Sequence, residues 1–293
     1  MDKLRLIMDC DCTMGVPGCD ADDGLALLYV LGCPEAELFG VTCSFGNNRQ
    51  DTVYENTKRL LREWGREDIP VLRGADSPKE RRSEAAEFLS AAAGKLGCDL
   101  NLLVTGCTSN LTGAEQYGPG FFDCIGDISL MGGITAPLTV GGRPMAELNL
   151  SADYAASLNL LEKAKSVRIA TAQNCLRSFF PREICERRLR EKNTRLSGFL
   201  LGELEYWFDI SEKEWNLDGM VNWDVMAAAQ LIHPEYFHMK RGEITPTPES
   251  LKTGMLYGGG EKRAVLLPEI ANGEKYIDHI YETYFNARVL DSV

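Results

Sequence analysis

Short apolar runs alternate with longer amphipathic stretches along most of the chain. Leu4–Met8, Leu38–Cys43, Pro70–Leu72, Asn101–Thr105, Ile128–Met131 and Val167–Ala170 are brief, mostly rich in Leu, Ile and Val, and bounded by polar or turn residues, which predicts buried strands. Between them, Asp22–Leu31, Asn48–Trp64, Ser83–Leu96, Asp153–Lys163 and Pro181–Arg190 carry apolar side chains at helical spacing. Strand–helix alternation of this kind predicts an α/β fold with an open, mostly parallel sheet flanked by helices. From Ser197 onward the chain reads as richer in helix and in aromatics, with Tyr206-Trp207-Phe208 and Trp215 close together. No linker, repeat or low-complexity tract interrupts the pattern. The longest irregular stretch, Leu138 to Met145 around Gly141-Gly142-Arg143-Pro144, reads as a loop within a domain. Residues 1–293 are therefore expected to form one α/β domain whose C-terminal part, from about residue 197, is more helical.

The first predicted strand–helix junction is crowded with acid. Asp9, Asp11, Asp20, Asp22 and Asp23 fall within the first twenty-three residues. Ligand sites of open α/β sheets lie at the carboxyl ends of strands, which is where these acids are. Two unit charges about 4 Å apart at an effective dielectric near 20 repel by roughly 4 kcal/mol, so converging carboxylates need a cation or must hold protons. Helix capping accounts for Asp20 or Asp22. It does not account for Asp9 and Asp11, which end a strand and share one face at a period of two.

Charge and cysteine usage narrow the partners. Thirty-one basic against forty-three acidic side chains give a net charge of −12, which argues against nucleic acid or an anionic membrane and for a small molecule. No long apolar segment precedes Asp9, so neither a signal peptide nor a membrane span is expected, and the location expected is cytoplasmic. The ten cysteines are scattered without paired CxxC elements and read as reduced, small hydrophobes. Zinc is disfavoured, since His233, His238 and His279 are not spaced with cysteines as a ligand set.

Several segments in order resemble the inosine–uridine-preferring nucleoside hydrolases, calcium-dependent N-ribohydrolases with a Rossmann-like core. Asp9-Cys10-Asp11 followed by Asp22-Asp23-Gly24-Leu25-Ala26-Leu27 is similar to the family's DxDxGxDD opening and ALAL-like helix, with about eight residues inserted and Asp20 added. Val41-Thr42-Cys43-Ser44-Phe45-Gly46-Asn47 resembles VTxxxGN, Pro70 to Ala75 the PVxxGA turn, and Thr105 to Leu111 the TGPLTNL segment. Leu130-Met131-Gly132-Gly133, Ala146-Glu147-Leu148-Asn149 and Asn222-Trp223-Asp224 stand for LMGG, AEFN and HDxLA. The resemblance implies Ca²⁺ held by Asp11, Asp23, Asp224 and the Thr105 carbonyl, and substrate contacts from Asp22, Asn47, Glu147, Asn149 and Trp223. It further implies attack on the ribose anomeric carbon by a calcium-bound water that gives its proton to Asp11, through an oxocarbenium-like transition state. A homodimer or homotetramer is implied as well.

Two departures from the pattern matter. A family asparagine falls on Gly141, and the histidine that commonly precedes the last aspartate is Trp223, so a histidine acid for the leaving base has no candidate. Trp223 resembles the aromatic that stacks on the base in purine-preferring members, although a tryptophan buried in the core would fit the sequence too. Taken singly, Asn47 and Asn149 suit strand ends, Glu147 a surface acid and Asp224 a helix cap. Two other functions fit parts of the chain. Met8-Asp9-Cys10-Asp11-Cys12-Thr13 matches the DxDxT of haloacid dehalogenase-type Mg²⁺ phosphohydrolases, with Asp9 as nucleophile, but leaves the later motifs without work. A non-catalytic calcium- or nucleoside-binding relative is the other.

Overall fold

The computed structural model describes residues 3–290. The predicted strands form at β1 (Leu4–Cys10), β2 (Ala36–Cys43), β3 (Val71–Arg73), β4 (Leu100–Val104) and β5 (Ile128–Met131). A two-residue hairpin, β6 (Thr139–Val140) and β7 (Arg143–Pro144), precedes β8 (Val167–Ala170). Four further strands follow: β9 (Phe179–Pro181), β10 (Gly219–Val221), β11 (Phe237–Ile244) and β12 (Arg263–Ile270). Eight of these make one sheet in the order β11-β12-β8-β5-β4-β1-β2-β3. Every pairing in it is parallel except β11 with β12.

The order fixes where a site can open. From β1 the chain winds outward through β2 and β3, then crosses back to lay β4 on the other flank of β1. The helices that follow β1 and β4 therefore leave on opposite faces, and their divergence opens a crevice at the carboxyl ends of those two strands. Asp11 and Thr105 are the residues just beyond them.

Both sheet faces are covered, as the near-continuous apolar strands require. On one face the fully buried Leu6, Met8 and Leu103 pack with the helix Asp22–Gly32 and the helix Trp223–Ile232. On the other, Ile7, Leu102 and Val104 pack with helices Glu84–Leu96, Ser109–Tyr117 and Tyr154–Lys163. The C-terminal part holds the long helix Arg195–Trp215 and the helix Gly273–Asn286, and also β11 and β12, two eight-residue strands that the apolar pattern did not announce. Their exposed faces carry Lys240–Glu269 and Lys262–Glu243 pairs at 2.6 and 2.9 Å, so charge rather than apolar alternation marks this edge of the sheet.

The Leu138–Met145 loop contains the small hairpin β6–β7. Among the described residues, no helix is long and apolar enough to cross a membrane.

Candidate active site

A cavity of about 250 Å³ opens at the switch point. The acids at and beneath its polar end come from four chain segments. β1 and the residue just after it deliver Asp9 and Asp11, the 12–21 insertion delivers Asp20, the first turn of helix Asp22–Gly32 delivers Asp22 and Asp23, and the first turn of helix Trp223–Ile232 delivers Asp224. Neither helix has a side-chain cap, so the positive ends of both dipoles face this group of carboxylates.

Asp11 is held from one side only. Its Oδ2 accepts the Asn47 backbone N–H at 2.6 Å. Gly46 makes that approach possible, because a Cβ there would lie 1.9 Å from Asp11 Oδ2. Asp23 Oδ1 accepts the Thr105 hydroxyl at 2.7 Å. Asp9 lies deeper, accepting from Thr42 Oγ1 at 2.6 Å and Asn110 Nδ2 at 2.8 Å, and is not part of the cavity wall. Asp20 Oδ1 accepts from Asn47 Nδ2 at 2.7 Å and Thr13 Oγ1 at 3.2 Å.

One oxygen on each of four acids is left over. Asp9 Oδ1, Asp11 Oδ1, Asp22 Oδ1 and Asp23 Oδ2 are buried without a hydrogen-bond partner. Burial pushes Asp9 and Asp11 up to about 7, with the nearby Asp20 adding to the shift of Asp11 and the Thr42 and Asn110 hydrogen bonds opposing that of Asp9. Burial raises Asp20 to about 6. Asp22, Asp23 and Asp224 are driven well above the ordinary carboxylate range, first by burial and then by one another and by Asp11 and Asp20. Among the described residues no Lys or Arg lines the cavity. Buried carboxylates with free oxygens and no cationic side chain have the donor chemistry of a hard-cation site.

The other predicted residues line the same cavity with varied engagements. Asn149 donates its amide to the Thr105 carbonyl at 2.8 Å, leaving that oxygen a second lone pair. Glu147 accepts three backbone N–H groups, from Gly133, Leu150 and Ser151, at 3.1, 2.7 and 2.9 Å. A carboxylate has about four acceptor positions, so this use of Glu147 leaves it one. Asn47, Trp223 and Asp224 are in the wall. The structure thus gathers Asp11, Asp22, Asp23, Asn47, Thr105, Glu147, Asn149, Trp223 and Asp224 into the cavity or directly beneath it. It also places Asp20 in the wall, where it caps no helix.

The apolar wall contains two residues whose role the sequence did not reveal. Trp207 and Trp215 join Trp223, and the first two rings meet edge to face at 5.5 Å. Their signal was the aromatic clustering along one helix, but only the fold turns that helix towards the cavity. The β6–β7 hairpin clamps the end of that helix: Arg143 donates to the Lys213 and Glu214 carbonyls at 2.8 and 2.7 Å. Gly141, at φ +54°, sits so close that a Cβ would fall 1.5 Å from the Trp215 carbonyl oxygen. Glycine at position 141 is therefore a packing requirement of this chain. The insertion is pinned in turn, as Arg59 donates to the Met14 carbonyl at 2.8 Å and pairs with Glu203 on the same long helix at 3.0 Å. None of the three histidines lines the cavity.

An open-sheet α/β enzyme with a cavity floored by carboxylates and walled by tryptophan is the class this geometry defines. Comparison with known proteins narrows it. A family profile described as "Inosine-uridine preferring nucleoside hydrolase" matches residues 6–278. An inosine-uridine preferring nucleoside hydrolase of Leishmania major is 25% identical over 281 residues, covering 86% of each chain. A probable uridine nucleosidase of Oryza sativa is 24% identical over 283 residues, covering 85% of this chain and 83% of its own. A solved plant nucleoside hydrolase superposes with a TM-score of 0.83 at 17% identity, over 96% of this chain and 98% of its own, which supports the fold. The chain belongs to the inosine-uridine preferring nucleoside hydrolase family. It is a hydrolase of ribonucleosides, and the phosphohydrolase reading falls, since the profile covers the later motifs that reading left idle.

Proposed function

We propose that the chain cleaves the N-glycosidic bond of ribonucleosides to ribose and free base with Ca²⁺ as its cofactor, held by Asp11, Asp23, Asp224 and the Thr105 carbonyl. The observation that carries this reading is the set of buried carboxylate oxygens without partners beneath a cavity that, among the described residues, no Lys or Arg enters. Calcium takes six to eight oxygen ligands, and when bound it supplies a Lewis acid that orients and acidifies water and engages the sugar diol.

The chain's own residues do the rest. Asp11, oriented through the Asn47 N–H and kept ionised by the cation, accepts the proton of the attacking water. Bond breaking leaves positive charge on the ribosyl ring. Asp22 and its acidic neighbours stabilise that charge. Asn47, Asn149 and the remaining acceptor position of Glu147 hold ribose hydroxyls. Trp223 stacks on the base, and Trp207 and Trp215 extend the apolar wall around it. With no histidine in the wall, the departing base takes its proton without an imidazole acid.

The enzyme acts on a free small molecule in the cytoplasm and assembles as a homodimer or homotetramer. Incubation with inosine, uridine, cytidine and guanosine, followed by chromatography of base and sugar, tests the reading. Equimolar base and ribose are expected from at least one, with Asp11→Asn slowing their release by about 10²–10⁴-fold, the size of a general-base contribution. Intact nucleosides throughout, or undiminished release by Asp11→Asn, would count against it.

A further inference from the structure

The two helices that carry Asp22, Asp23 and Asp224 pack side by side, and each ends in the same way. Cys33 is the C-terminal cap residue of one and begins Cys33-Pro34-Glu35; His233 is that of the other and begins His233-Pro234-Glu235. A proline just past a helix end fixes the chain's exit, so both tripeptides leave in defined directions. At 1.5 Å per residue these ends lie about 15 Å from the cavity.

The exits converge. The donor atoms of Cys33, Glu35 and His233 all lie within 4.8 Å of one another. His233 Nε2 is 3.7 Å from Cys33 Sγ and 2.5 Å from Glu35 Oε1. A tetrahedral ion with metal–sulfur and metal–nitrogen bonds of about 2.3 and 2.0–2.1 Å sets an S···N edge of about 3.6 Å, which the cysteine and histidine already provide. The N···O edge would be about 3.4 Å on the same geometry. Glu35 can open to it, since its side chain is 43% exposed. The second ring nitrogen of His233 faces Glu235 Oε1 at 3.0 Å, the outer carboxylate that orients most metal-binding histidines. His279, packed edge to face on His233 at 4.5 Å and stacked on Tyr236, is pushed down to about 4 by burial and by His233, so a neutral imidazole closes that side.

We propose that Cys33, Glu35 and His233 form a zinc site, distinct from the carboxylate cluster, that ties together the far ends of the two helices whose first turns build the active site. Sulfur, imidazole and one carboxylate form a borderline-soft donor set that suits Zn²⁺, whereas the all-oxygen aspartate cluster suits a hard cation. Three protein donors leave the fourth position to water. Cation binding takes the proton from the Cys33 thiol, which burial and Glu35 otherwise keep protonated.

Cobalt reports on this site directly, because a thiolate ligand gives a charge-transfer band that oxygen ligands do not. The protein for the test is the calcium-saturated full chain with the exposed Cys98 and Cys124 replaced by serine. Titration with Co²⁺ should give a thiolate band that saturates at one equivalent and is bleached by Zn²⁺. Cys33→Ser should abolish it, and Glu235→Gln should weaken cobalt affinity by about tenfold or more. Absence of the band in the parent, or its survival in Cys33→Ser, overturns the proposal. Should Cys33→Ser fail to fold, Glu35→Gln at its exposed position decides: a cobalt affinity equal to the parent's overturns the proposal, and a clear loss supports it. Nucleoside cleavage does not enter the readout, so this test fails or succeeds independently of the proposed activity.

Discussion

Asp11 meets opposing demands in one side chain. The proposed base is buried, and burial and the neighbouring Asp20 raise it to about 7, while hydrogen bonds, the Asn47 N–H first among them, favour its ionised form as a cation would. The position of Asp11 depends on Gly46, where a Cβ would stand 1.9 Å from the carboxylate. Gly46→Ala should therefore lower kcat by at least about tenfold with a smaller change in KM, since displacing a reacting group by even 1 Å is costly; steady-state kinetics on the best nucleoside checks this, and an unchanged kcat would show that Asp11 tolerates the shift. At Trp223, the stacking role predicts that Trp223→Ala raises KM by about tenfold while Trp223→Phe stays close to wild type, from the worth of an aromatic contact. Equal kinetics for wild type, Phe and Ala would remove Trp223 from base binding. Much at this scale was readable beforehand. Asp11, Asp22, Asp23 and Asn47 are legible because each sits at the end of a predicted strand or the start of a predicted helix. Asp20 was not, because its partners Thr13 and Asn47 are set by the path of the insertion rather than by any periodicity.

At the scale of elements, the strand–helix alternation up to β8 was legible because parallel strands buried on both faces read as continuous apolar runs. The edge pair β11–β12 was not, since few of its side chains are fully buried and charges are interspersed among its apolar residues. Nor was the contact between the β6–β7 hairpin and the helix Arg195–Trp215 legible, which joins segments far apart in sequence. That contact makes a prediction of its own. Restoring the family residue with Gly141→Asn places a side chain at φ +54° against the Trp215 carbonyl, and should cost about 1–3 kcal/mol of stability while loosening the tryptophan wall. Thermal unfolding with tryptophan emission checks it; a midpoint and spectrum like those of the wild type would contradict it. The same limit hid the approach of Cys33 to His233. Spacing along the chain disfavoured zinc, while the parallel packing of two helices 200 residues apart brings the two side chains to 3.7 Å.

For the whole molecule, the carboxylate cluster couples stability to pH and to cations. Asp9 and Asp11 titrate near 7 and Asp20 near 6 in the folded chain, against an ordinary value of 3.8. The folded state thus holds more protons than the unfolded state between about pH 4 and pH 7. Stabilisation from these groups is full below about pH 4 and is lost as the pH rises through 6 to 7. For chelated protein, this contribution lowers the thermal midpoint from pH 5 to pH 8, and added calcium should raise the midpoint more at pH 8 than at pH 5. Melting curves with and without calcium at the two pH values check the sign; a larger calcium effect at pH 5 would contradict it. The central claim, that the aspartates at the switch point hold the cation on which nucleoside cleavage depends, is tested most directly by the rate of base release as calcium is removed and returned. Chelation should abolish release and calcium titrated back should restore it along a saturation curve, with the curve absent in Asp224→Asn. Release that continues unchanged in excess chelator would contradict the claim.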